Sequence, residues 1–158
     1  MADVFLFDTS VYISYIRRKE HSEMLDRATE SGRVVLSSVV AMELYAGARS
    51  PVEKSLLDQF VASMKRMSAY ETPGEDDWVR GGILVERFTR FRGHAQVRDH
   101  FRDILVVLAA VNRGAVLVSS DAHMAKWGNL LKRQGKTLRL KILQDLAKVI
   151  ASSGGART

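Results

Sequence analysis

Hydrophobic and polar positions fall into short apolar runs that alternate with stretches of helical period. The run Val4-Phe5-Leu6-Phe7 is apolar at every position, so residues 3–8 read as a strand buried on both faces. Residues 10–19 place Val11, Ile13 and Ile16 inward and end on Arg17-Arg18-Lys19, as a helix does. A second helix is predicted over 22–31, stopped by Gly32, and a short strand over 33–37. Ser38 is the expected N-cap of the helix that carries Glu43 and ends near Gly47. Pro51 suits the first turn of a helix running to about Lys65. Met67–Glu71 reads as a third strand and Thr72-Pro73-Gly74 as a break.

Beyond that break a long helix is predicted over 75–92, weakened by Gly81-Gly82. A helix over 101–113, with an alternative start near Val97, ends at Gly114 and leads into a strand over 115–119. Residues 122–134 look helical, 137–143 contain a further strand, and 144–151 form a last helix. No repeat or interdomain linker interrupts the series, so residues 1–151 are expected to form one domain. The Ser- and Gly-rich tail 152–158 is expected to be disordered. Buried strands alternating with helices indicate an α/β fold, a parallel sheet covered on both faces. The carboxyl ends of its strands share one edge, where open α/β sheets bind ligands.

Against this frame, four carboxylates are misplaced as surface groups. Asp8 ends the first apolar run, and Glu43 interrupts Val39-Val40-Ala41-Met42 and Leu44-Tyr45-Ala46. Asp103 opens Ile104-Leu105-Val106-Val107-Leu108, and Asp121 closes Val116-Leu117-Val118-Ser119-Ser120. Each has a structural alternative: Asp8 and Asp121 as N-caps, Asp103 as a favourable charge at a helix N-terminus, Glu43 as the partner of an arginine. If the helix starts near Val97, Asp99 lies one turn from Asp103 and becomes a reserve ligand, though not the preferred one. Four converging carboxylates would repel one another unless a cation supplied the missing charge. Hard oxygen donors select Mg²⁺ or Mn²⁺, whose bound water is a nucleophile suited to phosphodiester hydrolysis. Thr9, Ser10, Ser119 and Ser120 stand beside the acids and could orient ligands or water.

Composition narrows the chemistry further. The chain of 158 residues has no cysteine, which excludes disulfides, zinc–thiolate sites and thiol nucleophiles. No apolar run approaches the roughly 18 residues of a membrane span, and a cytoplasmic protein without membrane contact is expected. A net charge of +6 suits a polyanionic partner. Arg80, Arg87, Arg90, Arg92, Arg98 and Arg102 fall in one stretch, either a phosphate-binding surface or a solvated face paired with Glu86 and Asp99. His94, His100 and His123 are expected at the surface, with His123 a secondary candidate to face phosphate. No GxxxxGK[ST] loop, GxGxxG turn or nucleophilic triad is present.

The segments Phe5-Leu6-Phe7-Asp8-Thr9-Ser10-Val11-Tyr12-Ile13, Ser37 to Gly47, Phe101 to Ala110 and Gly114 to Asp121 together resemble the PIN-domain ribonucleases, most closely their VapC-type toxins. The resemblance spans residues 3 to about 124. It implies a three-layer α/β/α fold with a central parallel sheet of about five strands, and Mg²⁺- or Mn²⁺-dependent endonucleolytic cleavage of RNA. Asp8, Glu43 and Asp103 match the first three acids of such toxins and Asp121 the fourth. A homodimer and a cognate antitoxin that reaches into the acidic pocket are further implications. The family often has another polar or acidic residue just after the fourth acid, where this chain has Ala122-His123.

Rival classes fit less well. A haloacid-dehalogenase phosphatase needs a second Asp two residues after its nucleophile, and here Asp8-Thr9-Ser10 stands. A response-regulator receiver needs an acidic pair, and Phe7 precedes Asp8. A PIN-like module that binds RNA or protein without cutting is the stronger alternative.

Overall fold

β1 (Phe5–Phe7) occupies the centre of a five-stranded, wholly parallel sheet. β2 (Val34–Ser37) pairs with it on one side and β4 (Val116–Ser119) on the other, while β3 (Tyr70–Glu71) and β5 (Arg139–Ile142) form the edges. The computed structural model describes residues 2–143. The helix expected over 144–151 and the tail 152–158 lie outside the described residues. Neighbouring positions on a strand point to opposite faces. Leu6 and Phe7 are both buried, as are all four residues of β2, so the sheet is covered on both sides. The architecture is the three-layer α/β/α fold that the resemblance implies, with the parallel sheet covered on both faces that the alternation of elements indicates.

The helices are α1 (Thr9–Arg18), α2 (Ser22–Glu30), α3 (Ser38–Ala46), α4 (Pro51–Arg66), α5 (Glu75–Arg92), α6 (Val97–Asn112) and α7 (Ala125–Lys132). Register places Phe5 beside Val34 and Val116, and Phe7 beside Val118, which brings the ends of the three central strands level. The pairing is extended by the Asp8 N–H, which donates to the Val118 carbonyl at 2.9 Å. The helix after β2 differs from expectation in its cap. Ser37, the last residue of the strand, and not Ser38 accepts the Val39 N–H, because its extended backbone turns the hydroxyl toward the helix start. α6 starts at Val97, so Asp103 lies inside the helix and its favourable interaction with a helix N-terminus is ruled out. α5 continues through Gly81-Gly82. A Cβ at Gly81 would stand 3.4 Å from Ile104 Cγ2, and the missing side chain lets α5 approach α6 closely. No helix among the described residues is long and apolar enough to cross a membrane.

Candidate functional site

Parallel strands bring the turns after β1, β2 and β4 to one edge, and these turns carry the site. Asp8 caps α1 and is 8% exposed. The Thr9 N–H donates to its Oδ1 at 2.7 Å, and the Ser119 hydroxyl donates to its Oδ2 at 2.8 Å. Ser119 is completely buried and also accepts the Asp121 N–H at 3.0 Å. One hydroxyl thus ties the first acid to the fourth. On the same edge the Ser120 N–H donates to Ser10 Oγ at 3.3 Å, a second tie between the two turns. Asp121 in turn caps the 3₁₀ turn Ala122–Met124 through the His123 N–H, at 2.9 Å.

Burial pushes the Asp8 carboxyl above its ordinary range; the Ser119 and Thr9 hydrogen bonds oppose this, and the charge of Asp121 adds to it. Glu43 projects from α3, a helix whose Val39, Val40, Ala41 and Leu44 are all buried. Its carboxyl is likewise raised by burial, lowered by Arg102, and raised again by Asp8 and Asp103. Arg102 Nη1 stands 3.7 Å from Glu43 Oε2. Thr9 Oγ1 is buried without a hydrogen bond of normal geometry, yet lies near enough to favour ionised Glu43. Asp103 is raised first by burial and then by Asp8 and Asp121, while Lys126 and His100 pull it down. All four sequence-predicted acids therefore lie within electrostatic reach of at least one other.

Their donor chemistry, carboxylate oxygen throughout, fits a hard divalent cation. Among the described residues, however, no three His, Asp or Glu side chains are already arranged as a metal-ligand group. Asp8 and Asp121 spend part of their acceptor capacity on the Ser119, Thr9 and His123 donors, and Glu43 stands 3.7 Å from Arg102. Asp99 is exposed, one helical turn from Asp103, and lies 3.5 Å from Arg98. His94 and His123 are exposed as well. His100 is half-buried, packed against Phe88 and Trp127. Lys126 was not singled out by the sequence. A lysine one residue before a buried Trp carries no local signal, and its proximity to Asp103 arises only when α7 packs beside α6.

The sequence model of the PIN domain family matches residues 5–130. No curated protein sequence matches the chain. Among solved structures, the fold is similar to the DNA-bound VapBC from Salmonella typhimurium, at 18% identity and TM-score 0.59 over 89% of this chain and 98% of that one. It is also similar to a DNA-bound VapBC2 from Rickettsia felis, at 17% identity and TM-score 0.58 over 88% and 98% of the two chains. FitAB bound to a DNA fragment matches at 14% identity and TM-score 0.59, over 90% and 99%.

Proposed function

The chain belongs to the PIN domain family, and from that premise we propose that it is a Mg²⁺-dependent endoribonuclease, the toxin of a toxin–antitoxin pair. The observation that carries the reading is the electrostatic coupling of Asp8, Glu43, Asp103 and Asp121 at the carboxyl edge of the sheet. Asp8 and Asp103 are the principal ligands of the ion, with Glu43 and Asp121 completing the pocket; Mn²⁺ suits the same oxygens. When bound, the ion supplies an activated water and stabilises charge on the phosphodiester. The chain's own residues do the rest. Ser119 and the Thr9 N–H hold Asp8 in one orientation, and the hydrogen bond from Ser119 keeps it easier to ionise than burial alone allows. Arg102 neutralises Glu43 and is placed to meet an incoming phosphate.

The structural neighbours are VapBC and FitAB proteins, which supports a cognate antitoxin as partner. A homodimer, a cytoplasmic location and one domain over residues 1–151 belong to the same proposal. The non-catalytic module has one observation in its favour, the lack of a ready-made ligand set among the described residues. Cleavage of structured and single-stranded RNAs by wild type and Asp8→Asn, with and without Mg²⁺, separates the two. Metal-dependent cleavage by wild type alone is expected. Equal cleavage by both proteins, or none by folded wild type with Mg²⁺, would overturn the nuclease.

A further inference from the structure

We propose that Arg102 and Lys126 are the two cations that hold substrate phosphates on either side of the acidic pocket. The assignment rests on the nuclease reading and gives it a substrate-binding pair. Four carboxylates alone repel a polyanion, so a phosphodiester reaches them only where positive charge is fixed at the rim. Among the described residues, two side chains meet that need, in different ways.

Arg102 is half exposed, and at 3.7 Å its contact with Glu43 is a loose ion pair, longer than a hydrogen bond. Its guanidinium donors therefore remain available for the forked contact that phosphate oxygens favour. Lys126 is held by aromatic rings. Its ammonium lies 5.1 Å from the ring centre of Trp127 and 5.4 Å from that of Phe88. Trp127 is completely buried and packs against Phe88 and His100 at 5.3 Å, so the charge rests on a rigid base. That charge also reaches Asp103.

The two cations belong to opposite flanks. Arg102 engages Glu43, on the helix that follows β2, whereas Lys126 lies on the helix that follows β4; β1 and its Asp8 stand between these strands. Other arginines of the Arg80–Arg102 stretch are engaged within their own helices, Arg90 with Glu86 and Arg98 with Asp99. A single strand crossing the edge from the β2 side to the β4 side thus meets guanidinium, carboxylates and ammonium in turn.

The test is equilibrium binding of a labelled single-stranded RNA of about 12 nucleotides. It is measured in EDTA over a salt series with the full chain. Arg102→Gln and Lys126→Gln are each expected to flatten the dependence of log K on log salt by about 0.7, one phosphate contact on a single strand. Arg102→Lys and Lys126→Arg should keep the slope. With Mg²⁺, the two glutamine variants should raise KM several-fold, and Arg102→Lys and Lys126→Arg should restore it, a pattern that mere loss of packing does not produce. An unchanged slope in either glutamine variant, or wild type that fails to bind the RNA, overturns the pair. Wild type that cuts RNA while the slopes stay unchanged removes the pair and keeps the nuclease. Altered slopes without any cleavage do the reverse.

Discussion

Ser119 Oγ lies 2.8 Å from Asp8 Oδ2, joining residues 111 positions apart in the sequence through one buried hydrogen bond. The hydroxyl is also the acceptor for the Asp121 N–H, so its removal takes one donor from the buried Asp8 carboxylate and the acceptor from the half-buried Asp121 N–H. Ser119→Ala is expected to cost about 1–3 kcal/mol of stability, measurable by urea denaturation. It should also alter the pH dependence of metal-activated cleavage. Asp8 must ionise to bind a cation, and burial already raises its pKa from the ordinary 3.8, with Ser119 opposing the rise. Without that donor the pKa climbs further, and the acidic limb of the pH–rate profile should move to higher pH. An unmoved limb would sever Ser119 from Asp8 ionisation.

Asp103 supplies a stability test of opposite sign. Its pKa is raised in the folded protein, so the native state binds a proton more readily than the unfolded chain. Stability therefore falls as pH rises from the unfolded pKa through the folded one, and the full penalty stands at neutral pH. Asp103→Asn should raise Tm at pH 7 in EDTA, by about 2–4 °C for each kcal/mol of repulsion removed. The gain should vanish as pH falls below the carboxylate range, and saturating Mg²⁺ should stabilise wild type more than the variant. Scanning calorimetry at several pH values checks both signs.

Asp8→Asn keeps the size of the side chain and an acceptor for Thr9, but removes the charge. Mg²⁺-dependent cleavage should fall by more than the about 10–100-fold that loss of an outer-shell partner costs. Circular dichroism should show the fold retained. Isothermal titration with Mg²⁺ should show weakened binding in parallel with the lost activity.

Asp77 carries no part of the acidic pocket, yet it is buried and joins two helices. Its Oδ2 accepts the Gly74 N–H at 2.9 Å at the start of α5, and its Oδ1 accepts Asn112 Nδ2 at 2.9 Å at the end of α6. Asp77→Ala is expected to cost about 1–2 kcal/mol, combining a lost cap with the lost tie to Asn112. Gly128→Ala should be comparably harmful, about 1–3 kcal/mol by overpacking, because a Cβ there would lie 2.9 Å from Leu138 Cδ2. Thermal unfolding of both variants, with RNA cleavage as a control, separates these effects from chemistry.

Where local signals were strong, the sequence was legible. Gly74 and Gly93 bracket α5, and its predicted span of 75–92 is the observed one. α6 was harder to delimit: Gln96 caps it without a side-chain hydrogen bond, so Val97 carries no start signal. The third strand contracts to Tyr70–Glu71 because Ser68 adopts a left-handed conformation, φ 54°, that breaks the extended run. The four acids stood out because each interrupts or ends an apolar run, a one-dimensional property. The Glu43–Arg102 pair was anticipated only as an unnamed arginine. Lys126 near Asp103, and the double hydrogen bond of Ser119, depend on which strands and helices become neighbours, and no window of sequence contains that.

The hydrogen bond from Ser119 to Asp8 also sets a clock on biosynthesis. At roughly 5–20 residues per second, about 6–20 s pass between synthesis of Asp8 and of the serine that orients it. Over that interval the growing polypeptide gains Glu43 and Asp103 but lacks a complete β4, Asp121 and the partner of the central carboxylate. A ribosome-bound fragment ending before residue 119 is thus chemically incomplete, and the pocket comes into being only once β4 and Asp121 have been made.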